Sequence, residues 1–87
     1  MTKEMIRRKL KASRAMLDMS QDDMATYLGL KNRETYTAKE VGTVRFSPTE
    51  MVKVTKLFGW DFPTFNDVFF DGELPDFFAH ELPNGKE

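Results

Sequence analysis

Ser20-Gln21-Asp22-Asp23-Met24-Ala25-Thr26-Tyr27-Leu28-Gly29-Leu30 is the stretch whose reading decides the fold. Ser20 is a good N-cap, because its hydroxyl can accept from the backbone N–H of Asp23. Asp22 and Asp23 fall in the first turn, where negative charge suits the helix dipole. Met24, Ala25 and Leu28 form an apolar face. Gly29 can leave the helix through a left-handed conformation at little cost. The pattern predicts a short helix that starts at Ser20 and stops at Gly29.

Working outward, the upstream segment predicts a helix from about Lys3 to Asp18. Ile6, Leu10, Ser13 and Leu17 fall at i, i+4, i+7 and i+11, one helical stripe widened by Met5 and Met16. Lys3, Arg7, Arg8, Lys9, Lys11 and Arg14 cover much of the rest, which reads as a solvated face ahead of the alternative, a DNA surface. Downstream, a third helix begins near Asn32, another N-cap type, and stops by Gly42. Tyr36 is its only large apolar side chain before Val41. A helix this polar is docked by its neighbours and shows most of its surface.

Ser47-Pro48-Thr49-Glu50 supplies an N-cap, a proline at the first helical position and a capping-box Glu. The fourth helix that follows carries Met51, Val54 and Phe58 on one face, with Leu57 beside it, and ends at Gly59. A short fifth helix is predicted from Thr64, with Asp67 as capping partner and Phe65, Val68 and Phe69 turned inward. The aromatics Phe58, Trp60, Phe62, Phe65 and Phe69 read as core. After Phe70, two prolines, two glycines and five acids in 17 residues predict an extended or loosely packed tail. The expectation is an all-α chain with a five-helix domain over 1–70 and a short acidic, aromatic-containing C-terminal tail over 71–87.

Composition narrows the function. The chain has 87 residues and no cysteine, which removes disulfides and thiolate chemistry and suits a reducing compartment. No apolar run is long enough to span a membrane, and the basic N-terminus has no apolar stretch behind it. A cytoplasmic protein is expected. His80 is the lone histidine. With no HExxH and no phosphate-binding glycine loop, no catalytic residue, metal site or cofactor is expected, and the chain does not read as an enzyme. The net charge of −1 hides an asymmetry: residues 1–56 hold 12 Lys+Arg against 7 Asp+Glu, and residues 57–87 hold one Lys against seven acids. A basic front suggests a polyanionic partner.

Two short helices joined by a glycine-containing turn are a helix-turn-helix candidate. Ala25 supplies the small residue where the helices cross, Leu30 plugs the corner and Tyr36 anchors the next helix. From about Leu10 to Phe70 the chain resembles the Cro/CI-type (XRE-like) repressors of phages and bacteria. The resemblance rests on Arg14, Ser20-Gln21, Ala25, Leu28-Gly29-Leu30, Glu40-x-Gly42 and Thr64-Phe65-Asn66-Asp67-Val68-Phe69-Phe70. The stretch Tyr36-x-x-Lys39-Glu40-x-Gly42-x-x-x-Phe46-Ser47 is similar to a subgroup common in phages of low-GC Gram-positive hosts. There are departures: a turn at Lys31-Asn32 one residue longer than usual, an insertion at Asp61-Phe62-Pro63, and Lys39 where many members place Ile or Trp.

The resemblance implies a lambda-repressor-like fold and a sequence-specific regulator of the repressor or Cro kind, acting on double-stranded DNA in a bacterial host cell. It implies a recognition helix over about 32–41 in the major groove. Carried over by position, Asn32, Arg33, Thr35, Thr37 and Ala38 face the bases, with Arg33 suited to guanine and Asn32 to adenine. Glu34 accepts from a cytosine amine or repels phosphate. Gln21, Lys31, Lys39 and Arg45 meet phosphates. Arg14 is expected to pair with Glu40 or Asp18. A homodimer is expected, because one recognition helix reads few base pairs, and Phe69 to Phe78 is its expected surface. The competing reading is a helix-turn-helix-derived protein-binding module acting through 71–87, where Leu74-Pro75-Asp76-Phe77-Phe78 sets apolar side chains among acids. Replacing Ala25 with Leu should overpack the helix crossing and cost ~1–3 kcal/mol, measurable by urea unfolding.

Overall fold

The computed structural model describes residues 2–75, and over them the chain is all-helical, with five helices and no strand. These are α1 (Lys3–Met16), α2 (Gln21–Leu28), α3 (Arg33–Val41), α4 (Pro48–Phe58) and α5 (Phe62–Phe70). They fall into two compact units, α1 to α3 in Thr2–Phe46, and α4 and α5 in a second that begins at Ser47. No helix among the described residues is long and apolar enough to cross a membrane.

In the first unit, α1 and α2 both pack on α3. The central side chains are Leu10, Met24, Ala25, Leu28 and Tyr36, all buried. Helix α1 is shorter than its periodicity suggests. Asp18 takes a left-handed conformation at φ 54°, which Asp tolerates better than most residues. The Met19 N–H then bonds back to the Arg14 carbonyl at 2.9 Å and closes the end. Met16 and Leu17 are left exposed by this turn.

Helix α2 begins as its sequence requires. The Ser20 hydroxyl accepts from Asp23 N–H, and the Asp23 carboxylate accepts from Ser20 N–H. Gly29 ends it at φ 72°, with Leu30 N–H donating to the Ala25 carbonyl at 2.8 Å. Helix α3 ends at Gly42, φ 91°, on which the Lys3 side chain lies. A Cβ at residue 42 would come within 3.1 Å of Lys3 Cδ.

In the second unit, α4 has the expected capping box between Ser47 and Glu50. Its buried face includes Thr55 beside Val54, and Thr55 satisfies its hydroxyl by donating to the Met51 carbonyl. Helix α5 starts two residues before Thr64. Asp61, not Thr64, is the cap: its carboxylate accepts from Thr64 N–H at 3.0 Å. Asp61-Phe62-Pro63 therefore forms the cap and first turn of the helix. This register lets Phe62 join Phe65 in a buried cluster with Met51, Phe69 and Leu74 packed against it. Trp60 is buried as well, 5.4 Å from the Phe58 ring and 6.1 Å from the Phe69 ring, centre to centre.

The chain beyond Phe70 is held at first. Asn66 is buried, and its amide donates to the Leu74 carbonyl at 3.0 Å while its oxygen accepts from Leu74 N–H at 2.9 Å. Residues 71–75 thus belong to the packed unit. The remainder of the expected tail, with Phe77, Phe78 and His80, lies outside the described residues. Asn66→Ala should lose both bonds and lower unfolding free energy by ~1–3 kcal/mol, read from chemical denaturation.

Candidate nucleic-acid interface

Helix α3 turns Tyr36 and Glu40, one turn apart, into the interior of the first unit. Glu40 is only 3% exposed. A carboxylate in that position needs donors, and it has them from two other helices. Arg14 on α1 binds it bidentately, Nε to Oε1 at 2.8 Å and Nη2 to Oε2 at 3.1 Å. The same guanidinium donates to the Met19 carbonyl at 3.1 Å. Gln21 on α2 adds Nε2 to Glu40 Oε2 at 3.3 Å. Of the two partners open to Arg14, Glu40 is the one taken, since Asp18 has turned into the left-handed bend.

The charges respond to this packing. Burial pushes the Glu40 carboxyl up, but the hydrogen bonds from Arg14 and the surrounding donors outweigh it and hold Glu40 below its ordinary value. The Glu40 hydrogen bond raises the Arg14 guanidinium in turn. Burial drives the Tyr36 phenol far above its usual range, with Glu40 adding to the effect. The Tyr36 hydroxyl is buried beside this pair yet falls short of hydrogen-bond geometry with any partner.

The residues that sequence reasoning assigned to phosphates divide into two groups. Lys31 and Arg45 are exposed. Gln21 and Lys39 are engaged within the unit. The Gln21 oxygen faces the Thr37 hydroxyl at 3.0 Å while its amide serves Glu40, so both ends of the side chain are used. Lys39 donates Nζ to the Arg45 carbonyl at 3.0 Å and lies 6.0 Å over the Phe46 ring. A long aliphatic stem with a charged tip can fill an apolar position this way.

The residues assigned to bases divide similarly. Thr37 is half-buried, its hydroxyl 3.0 Å from both the Gln21 oxygen and the Arg33 carbonyl. Asn32 caps α3: its oxygen accepts from Thr35 N–H at 2.9 Å and Thr35 Oγ1 at 2.8 Å. Both lone pairs of that oxygen are then occupied, and only the amide N–H2 remains for a ligand. Arg33 and Glu34 are the most open pair on the helix, joined at 3.4 Å. With 3.6 residues per turn, Glu34 and Ala38 lie opposite Tyr36 and Glu40, at the centre of the outward face. Thr35 flanks them.

Sequence reasoning missed the Gln21–Thr37 bond and the inward turn of Lys39, for neither of which local spacing carries a signal. Among the described residues, no group of three or more His, Cys, Asp or Glu is placed to hold a metal ion. Comparison with known protein families, with curated proteins and with solved structures finds no match for this chain.

The depressed Glu40 gives stability that is complete above its ordinary value of 4.5 and is lost as pH falls through its lower folded value. Glu40→Gln should remove that acid-side slope. It should also cost ~3–5 kcal/mol at neutral pH by leaving Arg14 unpaired. Urea unfolding across pH 2–7 checks both.

Proposed function

We propose that this chain is a sequence-specific, double-stranded DNA-binding regulator of the lambda-repressor-like helix-turn-helix class, and not an enzyme. The observation that carries the reading is α2, the Gly29 turn and α3 as one docked unit, with α3 polar, its Arg33 and Glu34 exposed and its Thr35 and Ala38 partly exposed. A major groove admits a single α-helix, and an outward face of Glu34, Thr35 and Ala38, with Arg33 exposed at the first position of the helix, offers donors, an acceptor and methyl groups to base edges. Lys31 and Arg45 flank that helix in sequence and supply cations for the backbone. The protein acts as a symmetric dimer, because about four to six base pairs per helix make too short a site. Its expected setting is the cytoplasm of a bacterial host.

One observation favours a second reading as a protein-binding module. Ser20–Phe46 holds four acids and four bases, and α2 and α3 themselves hold the four acids against two bases, so the two helices offer a polyanion no surplus of cations. Selection of bound sites from random duplexes, with titrations at several salt concentrations, separates the two. A selected site with salt-dependent affinity supports the regulator. Absence of any salt-dependent duplex binding overturns it in favour of the module.

On a selected site, Arg33→Ala should cost ~1–3 kcal/mol and relax preference at one base pair. Competition with single-base variants of the site reads this directly.

A further inference from the structure

The cationic surplus of the front half is confined to one helix. Lys3–Met16 holds six Lys/Arg and one Glu, a net of +5, which equals the net charge of residues 1–56. Of the four side chains assigned to phosphates, Gln21 has both ends bonded within the unit, and Lys39 directs one donor to the Arg45 carbonyl. If a polyanion meets this unit, most of the charge available to it lies on α1.

The cations of α1 are not scattered. Lys3, Arg7, Lys11 and Arg14 fall at i, i+4, i+8 and i+11, a single stripe bordering buried Leu10. Both ends of the stripe touch α3 or its cap: the Lys3 stem lies on Gly42, and Arg14 grips Glu40. Arg7 and Lys11 lie between them along α1, exposed and without an ion pair among the described residues, whereas Arg8 is held by Glu4. Like charges one turn apart work against a helix, and a lysine in the first turn opposes the helix dipole. Arg7 and Lys11 make no ion pair among the described residues that would offset this, and a phosphate backbone would neutralise them.

We infer that the Arg7–Lys11 edge of α1 is a phosphate-binding surface for duplex DNA, and that it supplies more of the salt dependence of binding than α2 and α3 do. The inference rests on the duplex-binding reading and extends it to a helix that the resemblance did not assign to DNA.

The test is a salt titration of the full chain on its selected duplex and on a random duplex. Each phosphate contact contributes about 0.9 to the slope of log affinity against log salt. Arg7→Gln with Lys11→Gln should therefore lower the slope by about two on both duplexes, leaving base preference unchanged, since phosphates carry no sequence. Lys53→Gln with Lys56→Gln removes the same charge from α4 and should leave the slope unchanged. Both pairs are exposed, and circular dichroism confirms that the variants fold. An unchanged slope in the α1 variant, or an equal fall in the α4 variant, overturns the inference while duplex binding stands. A parent chain that binds anionic vesicles but no duplex overturns both the inference and the reading beneath it.

Discussion

The first unit is organised around one buried carboxylate. Glu40 enters the interior from α3 and is met by Arg14 from α1 and Gln21 from α2. A buried ion pair is weak evidence of net stability, because desolvation offsets much of the attraction. What it fixes is arrangement. Rotating α3 about its axis, or sliding it along α1, would strip donors from a charge that has no access to water. Arg14 also holds the Met19 carbonyl, so the bend between α1 and α2 is tied to the same point. The direction in which α3 shows its outer face follows from this junction and from Tyr36 beside it.

That junction has a consequence for the proposed interface. It consumes polar side chains that a reading by position would leave to a ligand. Gln21 and Thr37 bond to each other, and Asn32 gives its oxygen to the start of its own helix. The outward face is narrower and less cationic than the sequence suggests, with Glu34 and Ala38 at its centre. Under the proposed reading, holding and discrimination are then divided: α1 carries charge, and α3 carries shape and donor pattern. Such a division suits a unit in which α2 and α3 together hold four acids against two bases.

The features legible in the sequence are those decided within four residues. Ser20, Asn32 and Ser47 each meet the N–H three residues on, and the helices they open start where the spacing puts them. Gly29 and Gly42 end their helices for equally local reasons. Helix α5 shows the limit. Thr64 followed by Asp67 is as good a local signal as Asp61 followed by Thr64. Burial of Phe62 against Phe65 accompanies the second, and that is a tertiary fact. The same holds for the site. For Arg14 the sequence narrows the partner to Glu40 or Asp18, and the packing chooses Glu40. The amide of Gln21 and the amine of Lys39 had no such constraint, so their destinations awaited the packing.

The Asn66–Leu74 clamp bears on how this chain tolerates drift over generations. Both of its bonds go to peptide atoms of Leu74 rather than to the leucine side chain. Residue 74 is therefore interchangeable among apolar types that keep an N–H, and proline alone is barred by chemistry. Residue 66 has no such latitude. Aspartate lacks the donor, glutamine is a methylene too long, and an apolar side chain offers neither bond. The two bonds thus require a particular side chain at residue 66 alone, while residue 74 answers only to its packing against Phe62 and Phe65.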